Sequence, residues 1–424
     1  MPPTPDATAP GAAAPDRGRA DVCPGALRLH TAADGGLARV RLPGGLLTEE
    51  QALALADAAL ALGDGNLEIT SRGNVQLRGL ASDCGAELAA RLRAAGLLPS
   101  DTHERVRNIV ASPGLTTDRA DGRADVHAWA RELDAKLCAS PWAAGLSGKF
   151  LFVLDDGSGD VAALNADVTL IAGPDGSALV RLARSATGEP VSAARAVDAA
   201  LAVARDFLAV LRATGREAWH LREVPDLLPV GSVALPAFTG APPVLGALSG
   251  GLSVAPRFGS ASAAQWRALV DAAEGELRLT PWRGAVLPGA AAERLADLAA
   301  AGFRTAPGAA WERATACTGL PGCAKSLADV RADATRALDA AEALDAAGAL
   351  DVAGAGAIPV HWSGCERRCG HPTGRWVDVL ATGQGYRVTP RTPESTGAAA
   401  DPAAVEVTNE ETAEAVAEAR RTTK

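Results

Sequence analysis

Two kinds of hydrophobic pattern alternate along the chain. Short runs rich in Val, Leu and Ile predict buried strands, and longer stretches with apolar residues three or four positions apart predict helices. The predicted strands of the first half are LARVRL (37–42), LEIT (67–70), VQLRGL (75–80), KFLFVLD (149–155), VTLIAG (168–173) and ALVRL (178–182). Helical spacing covers LTEEQALALADAALALGDG (47–65), AELAARLRAAGLLP (86–99), ASAAQWRALVDAAEGE (261–276), AERLADLAAAGFRT (292–305) and AKSLADVRADATRALDAAEAL (324–344).

The two halves of the chain resemble each other at a shift of about 210 residues. LEITSRGNVQLRGL (67–80) aligns without a gap with LRLTPWRGAVLPGA (277–290), and the predicted helices on either side also correspond. Further along, ERVRNIVASPGL (104–115) matches ERATACTGLPGC (312–323). Chance similarity in an Ala-rich chain is the alternative, but four segments in the same order favour an internal duplication.

This pattern predicts an α+β protein with pseudo-twofold symmetry, in which each half has strand, helix, strand and helix before a larger α/β segment. PAFTGAPPVLGALSG (236–250) has the Pro and Gly density of a linker and divides the chain nearly in half. Residues 1–20 and 390–424 lack sustained periodicity and are predicted to be flexible tails. Within the second tail, AEAVAEAR (413–420) is suited to a short helix.

Composition narrows the class of partner. The 424 residues are 48% hydrophobic and carry a formal net charge of −9, which argues against binding to nucleic acid or to an anionic membrane. The amino terminus lacks the features of a signal peptide and no long apolar run occurs, so a soluble cytoplasmic protein is expected. In a reducing compartment, clustered cysteines favour metal ligation or redox chemistry over disulfides.

Four of the seven cysteines form two tight pairs. CTGLPGC places Cys317 and Cys323 around a turn, and CERRC places Cys365 and Cys369 in a second loop. Thiolates from two short loops can converge on one iron–sulfur cluster, and the helical pattern after Cys323 predicts that thiolate at a helix N-terminus. Structural zinc is the alternative, although Cys-x5-Cys departs from the usual zinc spacing. The isolated cysteines are interpreted as ordinary small residues: Cys23, Cys84 and Cys138.

With these motifs, the sequence resembles the sulfite and nitrite reductase superfamily over roughly residues 23–385. In that superfamily Cys-x5-Cys and Cys-x3-Cys bind a [4Fe–4S] cluster, so the resemblance implies the same role for the four cysteines. TSRGNVQLRG is similar to the family's Thr-x-Arg-x-Asn-x-Gln strand, and RNIV is similar to its second Arg-Asn segment. GKFLF is similar to the segment with Lys-x-Lys, but Leu151 occupies the second lysine position.

The resemblance implies a tetrapyrrole site, with Arg107 on its distal side and Lys149 as the surviving lysine. Both are expected to be catalytic. A polycarboxylated macrocycle also needs fixed cations in an acidic protein, and the alternation from residue 72 to residue 78 predicts one polar strand face. A solvated edge strand is the alternative, and Arg283 is a weaker candidate. The predicted tetrapyrrole-binding residues are Arg72, Asn74, Gln76, Arg78, Arg107 and Lys149.

Loss of one lysine favours a reaction other than sulfite or nitrite reduction. CPGAL (23–27) and CGHP (369–372) are most similar to the branch of the superfamily that oxygenates precorrin-3A in aerobic cobalamin biosynthesis. This resemblance implies a monooxygenase that uses O2, hydroxylates C20 and closes a γ-lactone. It also implies a [4Fe–4S] cluster, a mononuclear non-haem iron with His371 as a candidate ligand, and electrons from NADH through an external reductase or ferredoxin.

Two alternatives remain open: a sirohaem-dependent sulfite or nitrite reductase, and a non-catalytic Fe–S or tetrapyrrole-binding protein. The superfamily resemblance implies two ferredoxin-like half-domains and two larger α/β domains. The expected division is 1–20 as a tail, 21–98 as half-domain 1, 99–235 as α/β domain 1, 236–306 as linker and half-domain 2, 307–389 as the domain with the cluster cysteines, and 390–424 as a tail.

Overall fold

The computed structural model describes residues 23–115, 122–227, 231–308, 310–311, 313–350, 358–372, 374–392 and 404–423. The helices are α1 Glu49–Leu62, α2 Gly85–Ala94, α3 Val126–Cys138, α4 Ala196–Thr214, α5 Ala263–Asp271, α6 Arg294–Ala300, α7 Val330–Ala346 and α8 Thr412–Thr422. The strands are β1 His30–Ala32, β2 Gly35–Val40, β3 Leu46–Thr48, β4 Asn66–Ile69, β5 Val75–Leu80, β6 Ile109–Ala111, β7 Phe152–Asp155, β8 Val168–Ala172, β9 Ser177–Leu182, β10 Thr187–Ser192, β11 Val233–Ala234, β12 Gly246–Leu248, β13 Gly251–Val254, β14 Ser260–Ser262, β15 Glu276–Leu279, β16 Ala285–Pro288, β17 Ala314–Ala316, β18 Val360–Ser363, β19 Trp376–Ala381, β20 Tyr386–Arg391 and β21 Val405–Val407.

Two five-stranded antiparallel sheets exchange one strand each between the halves of the chain. Sheet I has the order β1-β2-β5-β4-β14, and sheet II has the order β12-β13-β16-β15-β3. The exchanged strands β3 and β14 each lead into a helix that begins with a capping box. Thr48 with Gln51 caps α1, and Ser262 with Gln265 caps α5. The duplication predicted from the sequence is therefore present in the fold.

Sheets I and II share one hydrophobic core with the helices between them. Leu55, Leu77, Trp266 and Leu287 are all fully buried members of this core, which draws on both halves of the chain. The indole N–H of Trp266 donates to the carbonyl of Ala52 at 3.0 Å and so links α5 to α1. Because the core is continuous, neither sheet has a complete apolar interior of its own.

The two larger domains repeat one topology. Sheet III has the order β11-β10-β9-β8-β7-β6, and sheet IV has the order β17-β18-β19-β20-β21. In both sheets the three strands that come first in the chain are parallel, β6–β8 in sheet III and β17–β19 in sheet IV. The strands that follow them in the chain pair antiparallel. Parallel neighbours end at the same sheet edge, so the loops after β17 and β18 are brought together. No helix within the described residues is long and apolar enough to cross a membrane.

The carboxyl-terminal segment corrects one prediction. Residues 404–423 are not a flexible tail, because β21 pairs with β20 and α8 packs on sheet IV. Ala413, Val416 and Ala417 are buried in the core of that domain. The Arg420 side chain, 3% exposed, donates to the carbonyls of Ile358 and Ala310. The helical potential of residues 413–420 is realised, whereas the predicted tail at residues 1–20 lies outside the described residues.

Candidate functional site

A row of polar side chains crosses sheet I. Arg39, Gln76, Glu68 and Ser260 are opposite one another on four neighbouring strands. Arg39 donates to Gln76 Oε1 at 3.1 Å, and Gln76 Nε2 donates to Glu68 at 2.9 Å. Glu68 also accepts from Arg331 of α7, which joins this row to the domain of sheet IV. The row therefore forms a polar wall between sheet I and the cysteine-bearing domain.

Sheet II lacks an equivalent wall. The four corresponding positions of sheet II are Ser253, Val286, Arg278 and Leu46. Two of them, Val286 and Leu46, are aliphatic. Arg278 is directed away to Glu276 and to the carbonyl of Gly114. The asymmetry between the duplicated halves locates the candidate site on sheet I.

Three arginines at one end of sheet I form an arginine group: Arg39, Arg41 and Arg72. Burial lowers the pKa of all three, and that of Arg41 falls to about 9. Arg41 is 3% exposed, and its Nε and Nη1 have no hydrogen-bond partner within the described residues. The Cys23 side chain lies within electrostatic reach of all three guanidinium groups. Buried, unmatched donors of this kind require an anion, and carboxylates suit guanidinium geometry.

The predicted alternation of polar residues from 72 to 78 is only partly present. Strand β5 begins at Val75, and the residues before it form a turn in which Thr70 Oγ1 accepts from the N–H groups of Arg72 and Asn74. Asn74 is buried, and its Oδ1 accepts from the N–H of Leu42 at 2.9 Å. Asn74 therefore shapes the turn, which displaces Arg72 from the strand.

Arg72 and Lys149 are brought together as predicted. Nη2 of Arg72 donates to the carbonyl of Lys149 at 3.1 Å. Nζ of Lys149 lies 3.7 Å from the centroid of the Trp219 ring, which is a cation–π contact. Leu151 is buried in a small apolar cluster against Trp282, so no second ammonium is present at its position.

Arg107 lies apart from the arginine group. Its guanidinium forms two hydrogen bonds with Asp134, at 2.6 and 2.7 Å, and a third with the carbonyl of Leu97. Burial alone would lower the pKa of Arg107, but the Asp134 carboxylate raises it overall. These contacts fit a structural role, so the catalytic role of Arg107 stays a prediction that its geometry does not support.

The cysteine loops, residues 317–323 and 365–369, leave the same edge of sheet IV. Cys317 follows β17 directly, and its N–H donates to the carbonyl of Trp362 in β18 at 2.9 Å. The N–H of Gly364 donates to Cys317 Sγ at 3.3 Å. Burial raises the pKa of Cys317, and the nearby Cys365 and Cys323 thiols raise it further. The fourth thiol, Cys369, is exposed at the end of the second loop.

One predicted detail of these loops is wrong. Cys323 does not lie at a helix N-terminus, because α7 begins only at Val330 with Asp329 as its cap. The first loop is instead fixed by Arg78, which donates to the carbonyl of Gly322 at 2.7 Å and forms an ion pair with Asp34. Arg78 was predicted to bind the tetrapyrrole, but these contacts anchor the cysteine loop to sheet I.

The separation of the four sulfurs argues against their binding a single zinc ion. Tetrahedral zinc about 2.3 Å from each sulfur would hold the sulfurs less than about 4 Å apart. No three of these sulfurs lie within 4.8 Å of one another. A [4Fe–4S] cluster spreads four thiolates around a larger inorganic core and accepts N–H donation to sulfur, as at Gly364. The donor set therefore fits the cluster that the sequence predicts.

Two histidines lie near the cysteine loops, and the role of His371 as a ligand of a second iron stays a prediction. His371 is exposed and stacks on Trp376 with ring centroids 5.2 Å apart, and its Nδ1 contacts the carbonyl of Pro372. His361 is buried, with Nδ1 hydrogen-bonded to Thr315 at 2.8 Å. Burial lowers its pKa to about 4. In the part of the chain that is described, neither histidine belongs to a group of three clustered ligand side chains.

Arg283 reaches the cysteine loops from sheet II. A Cβ atom on Gly370 would lie 4.0 Å from Nη2 of Arg283 and 3.8 Å from the ring of His361. Burial lowers the pKa of Arg283. Sequence reasoning ranked Arg283 low because the alternation is broken beside it, and it missed Arg39 and Arg41 altogether. The Arg-x-Arg pattern inside LARVRL was the available signal for the latter two.

Comparisons with known proteins agree with this architecture. Residues 30–95 match the nitrite/sulfite reductase ferredoxin-like half domain. A precorrin-3B synthase from Sinorhizobium sp is 30% identical over 394 residues, which cover 87% of this chain and 82% of that protein. A ferredoxin–nitrite reductase from Synechococcus elongatus is 35% identical over 126 residues, covering 28% of this chain and 25% of that protein.

The solved structure of the Mycobacterium tuberculosis NirA protein superimposes with a TM-score of 0.64 over 89% of this chain and 79% of that one. Sequence identity in that superposition is 20%, so it supports the fold alone. The predicted pseudo-twofold reductase-like fold is confirmed. The chain belongs to the sulfite and nitrite reductase superfamily, and its similarity to precorrin-3B synthase extends over most of its length.

Proposed function

We propose that the chain is a precorrin-3B synthase, a monooxygenase that uses O2 to hydroxylate precorrin-3A at C20 with closure of a γ-lactone. The observation that carries the proposal is the buried arginine group with the unmatched donors of Arg41, which the polar row through Gln76, Glu68 and Arg331 joins to the first cysteine loop. A precorrin is a macrocycle with many carboxylates, and such donors suit it. The 30% identity to a precorrin-3B synthase along most of the chain favours this substrate over a small oxyanion.

In this proposal, Cys317, Cys323, Cys365 and Cys369 hold a [4Fe–4S] cluster, which supplies one-electron transfer when bound. Arg39, Arg41 and Arg72 bind carboxylates of the substrate and fix its orientation at the site. Lys149 carries its charge against Trp219 at the same end of the site. Electrons come from NADH through an external reductase. The described residues form no ligand set around His371, so no step is assigned to a second iron.

The experiment is anaerobic purification with analysis of iron, sulfide and bound pigment, followed by incubation with precorrin-3A, O2 and a reductant. We expect about four irons and four sulfides per cluster-loaded chain and a product heavier by one oxygen atom. An absorption spectrum with sirohaem bands, together with reduction of sulfite or nitrite, would instead support the reductase alternative. That alternative is favoured by the similarity of part of the chain to a nitrite reductase. Bound precorrin of unchanged mass would instead indicate a non-catalytic protein.

Substitutions separate the two parts of the site. Cys317→Ser and Cys365→Ser are expected to abolish the cluster. Arg72→Ala is expected to weaken tetrapyrrole binding by roughly tenfold or more and to leave the iron content unchanged, because Arg72 lies in the arginine group and not in the cysteine loops. Iron analysis and titration with uroporphyrin III measure the two effects separately. Equal loss of iron in all three variants would contradict this division.

A further inference from the structure

A buried histidine–aspartate pair lies beside the candidate site. Asp167 is fully buried, and its carboxylate accepts from the N–H groups of Leu151 and Leu221, each at 2.8 Å. The same carboxylate contacts Nδ1 of His220 at 3.0 Å. Three contacts on one carboxylate fix both the position of Asp167 and the plane of the imidazole ring.

The other ring nitrogen of His220 is available for chemistry. A carboxylate only accepts hydrogen bonds, so Nδ1 carries the proton in this contact and Nε2 is the nitrogen that can take up or give a proton. Nε2 has no hydrogen-bond partner in the part of the chain that is described. Nε2 of His127 and Nε2 of His361 also lack a partner, but protein atoms enclose them completely, which is not the case for Nε2 of His220.

The pair is linked to Arg72 and Lys149 of the candidate site in three ways. Trp219, the neighbour of His220 in the chain, carries Lys149 on its ring. Arg72 donates to the carbonyl of Lys149 and lies within electrostatic reach of Asp167. The N–H that holds Asp167 belongs to Leu151, the position at which the resemblance to the reductases expects a second lysine. An ionisable pair is therefore placed next to a position that has lost an ionisable group.

We propose that His220 is a proton-transfer residue of this site, oriented by Asp167; the proposal rests on the proposed monooxygenase function. Monooxygenation places one atom of O2 in the product and reduces the other to water with two electrons and two protons. Nε2 of His220 first takes up a proton from solvent, which makes the ring an imidazolium, and then gives it to the oxygen atom that leaves as water; solvent supplies the second proton. The external reductase supplies the electrons, and solvent returns the proton to Nε2.

The test uses cluster-loaded enzyme carrying His220→Gln or His220→Ala. Turnover of precorrin-3A is expected to fall by about 10²- to 10⁴-fold, the range for loss of a general acid–base group. Affinity for uroporphyrin III, an unreactive polycarboxylated macrocycle, is expected to change by less than about twofold. Added imidazole is expected to restore part of the turnover of His220→Ala, because it replaces the missing proton carrier and not a structural contact.

His127→Gln is the matched control. His127 is also a buried histidine beside an aspartate, with Nδ1 3.6 Å from Asp125, and it lies at the start of α3. Among the described residues it makes no hydrogen bond or ion pair with Arg39, Arg41, Arg72 or Lys149. This variant is expected to keep wild-type turnover. Turnover of His220→Ala close to that of the wild type would overturn the proposal. So would a loss that imidazole does not restore and that is matched by an equal loss of macrocycle affinity.

A second measurement is independent of the monooxygenase assignment. If the wild-type enzyme leaves precorrin-3A unchanged, the proposed function fails, but the position of His220 is still tested by carbon NMR of labelled histidines. The chain has six histidines, so their Cε1 resonances can be assigned by substitution. Uroporphyrin III is expected to shift the resonance of His220 and to leave that of His127 unchanged. An unshifted His220 resonance at saturation would overturn the proposal.

Discussion

At the scale of single residues, Arg41 is the clearest sign of a ligand. A buried guanidinium with two unpaired donors destabilises the ligand-free protein, because its desolvation is not offset by a partner. Arg41→Met is therefore expected to raise the free energy of unfolding of the ligand-free protein by about 1–3 kcal/mol. The same change is expected to weaken uroporphyrin III binding by about 10- to 100-fold. Urea unfolding and fluorescence titration measure the two effects.

Arg93→Met provides the control for Arg41→Met. Arg93 belongs to the same half-domain, but it is exposed and paired with Asp101 at the surface. Its replacement is expected to leave macrocycle affinity unchanged and stability nearly so. If the Arg41→Met variant were less stable than the wild type and bound the macrocycle normally, Arg41 would be a structural residue. The carboxylates of the macrocycle would then need a different cation.

At the scale of elements, the loop between β7 and β8 is the first-half counterpart of the second cysteine loop. It carries carboxylates in place of thiolates. Burial, together with the nearby charges of Asp155 and Asp156, raises the pKa of Asp160 to about 6. The folded state thus binds this proton more tightly than the unfolded state does, so stability falls as the pH rises from about 4 through 6.

Asp160→Asn is expected to remove this pH dependence. The variant should match the wild type near pH 4 and exceed it by about 1–3 kcal/mol at pH 8, because Asn keeps an oxygen for Ser112 and Val161 without the buried charge. Urea unfolding across this pH range measures the difference. A constant difference at all pH values would mean that Asp160 is already ionised in the folded protein at low pH.

Asp155→Asn is the contrasting change in the same loop. Asp155 is fully buried, and its two oxygens accept from four backbone N–H groups, those of Gly157, Gly159, Val161 and Ala162. An amide nitrogen in place of one oxygen would face two of these donors. This variant is expected to lose about 2–4 kcal/mol of stability at pH 8, because donors that the carboxylate satisfied are left unpaired.

The local hydrophobic pattern was sufficient to predict most helices and strands, but not the contacts between segments far apart in the chain. The six strands named in the first half are present: β7 and β8 are buried along their whole length, and β4 and β9 bury alternate apolar positions. The alternation through Arg72 failed because the Thr70 side chain closes a turn before β5. The helix predicted directly after Cys323 begins later because Asp329 caps it. In both cases a local side-chain hydrogen bond overrode the hydrophobic period.

The remaining errors come from contacts between segments far apart in the chain. α8 is too short and polar to be stable alone, and it folds because sheet IV buries one of its faces. The Arg-x-Arg pattern inside LARVRL marks Arg41, but its burial cannot be inferred from that pattern because it depends on the elements packed around it. The four cysteines were predictable since their spacing is local, whereas of the arginine group only Arg72 was predicted and Arg39 and Arg41 were missed.

At the scale of the whole molecule, strand exchange makes the halves interdependent. β3 completes sheet II and β14 completes sheet I, so a chain cut at residue 240 leaves each fragment with an open sheet edge and half of the shared core. Either fragment alone is expected to be insoluble or to lack a cooperative unfolding transition, because it exposes apolar surface and unpaired strand edges. Co-expression of both fragments is expected to restore a soluble complex that unfolds in one transition.

The decisive comparison uses Ala261→Pro in the second fragment. Ala261 lies in β14 opposite Leu67 of β4 and is 1% exposed, so proline there disrupts the exchanged strand within a packed interface. Complementation by the first fragment is expected to fail with this variant and to succeed with the unmodified fragment, as measured by co-purification and thermal unfolding. A first fragment that folds alone would show that sheet I does not need β14. The site on sheet I would then belong to one half of the chain, with the second half supplying only the cysteine loops, Arg331 and Arg283.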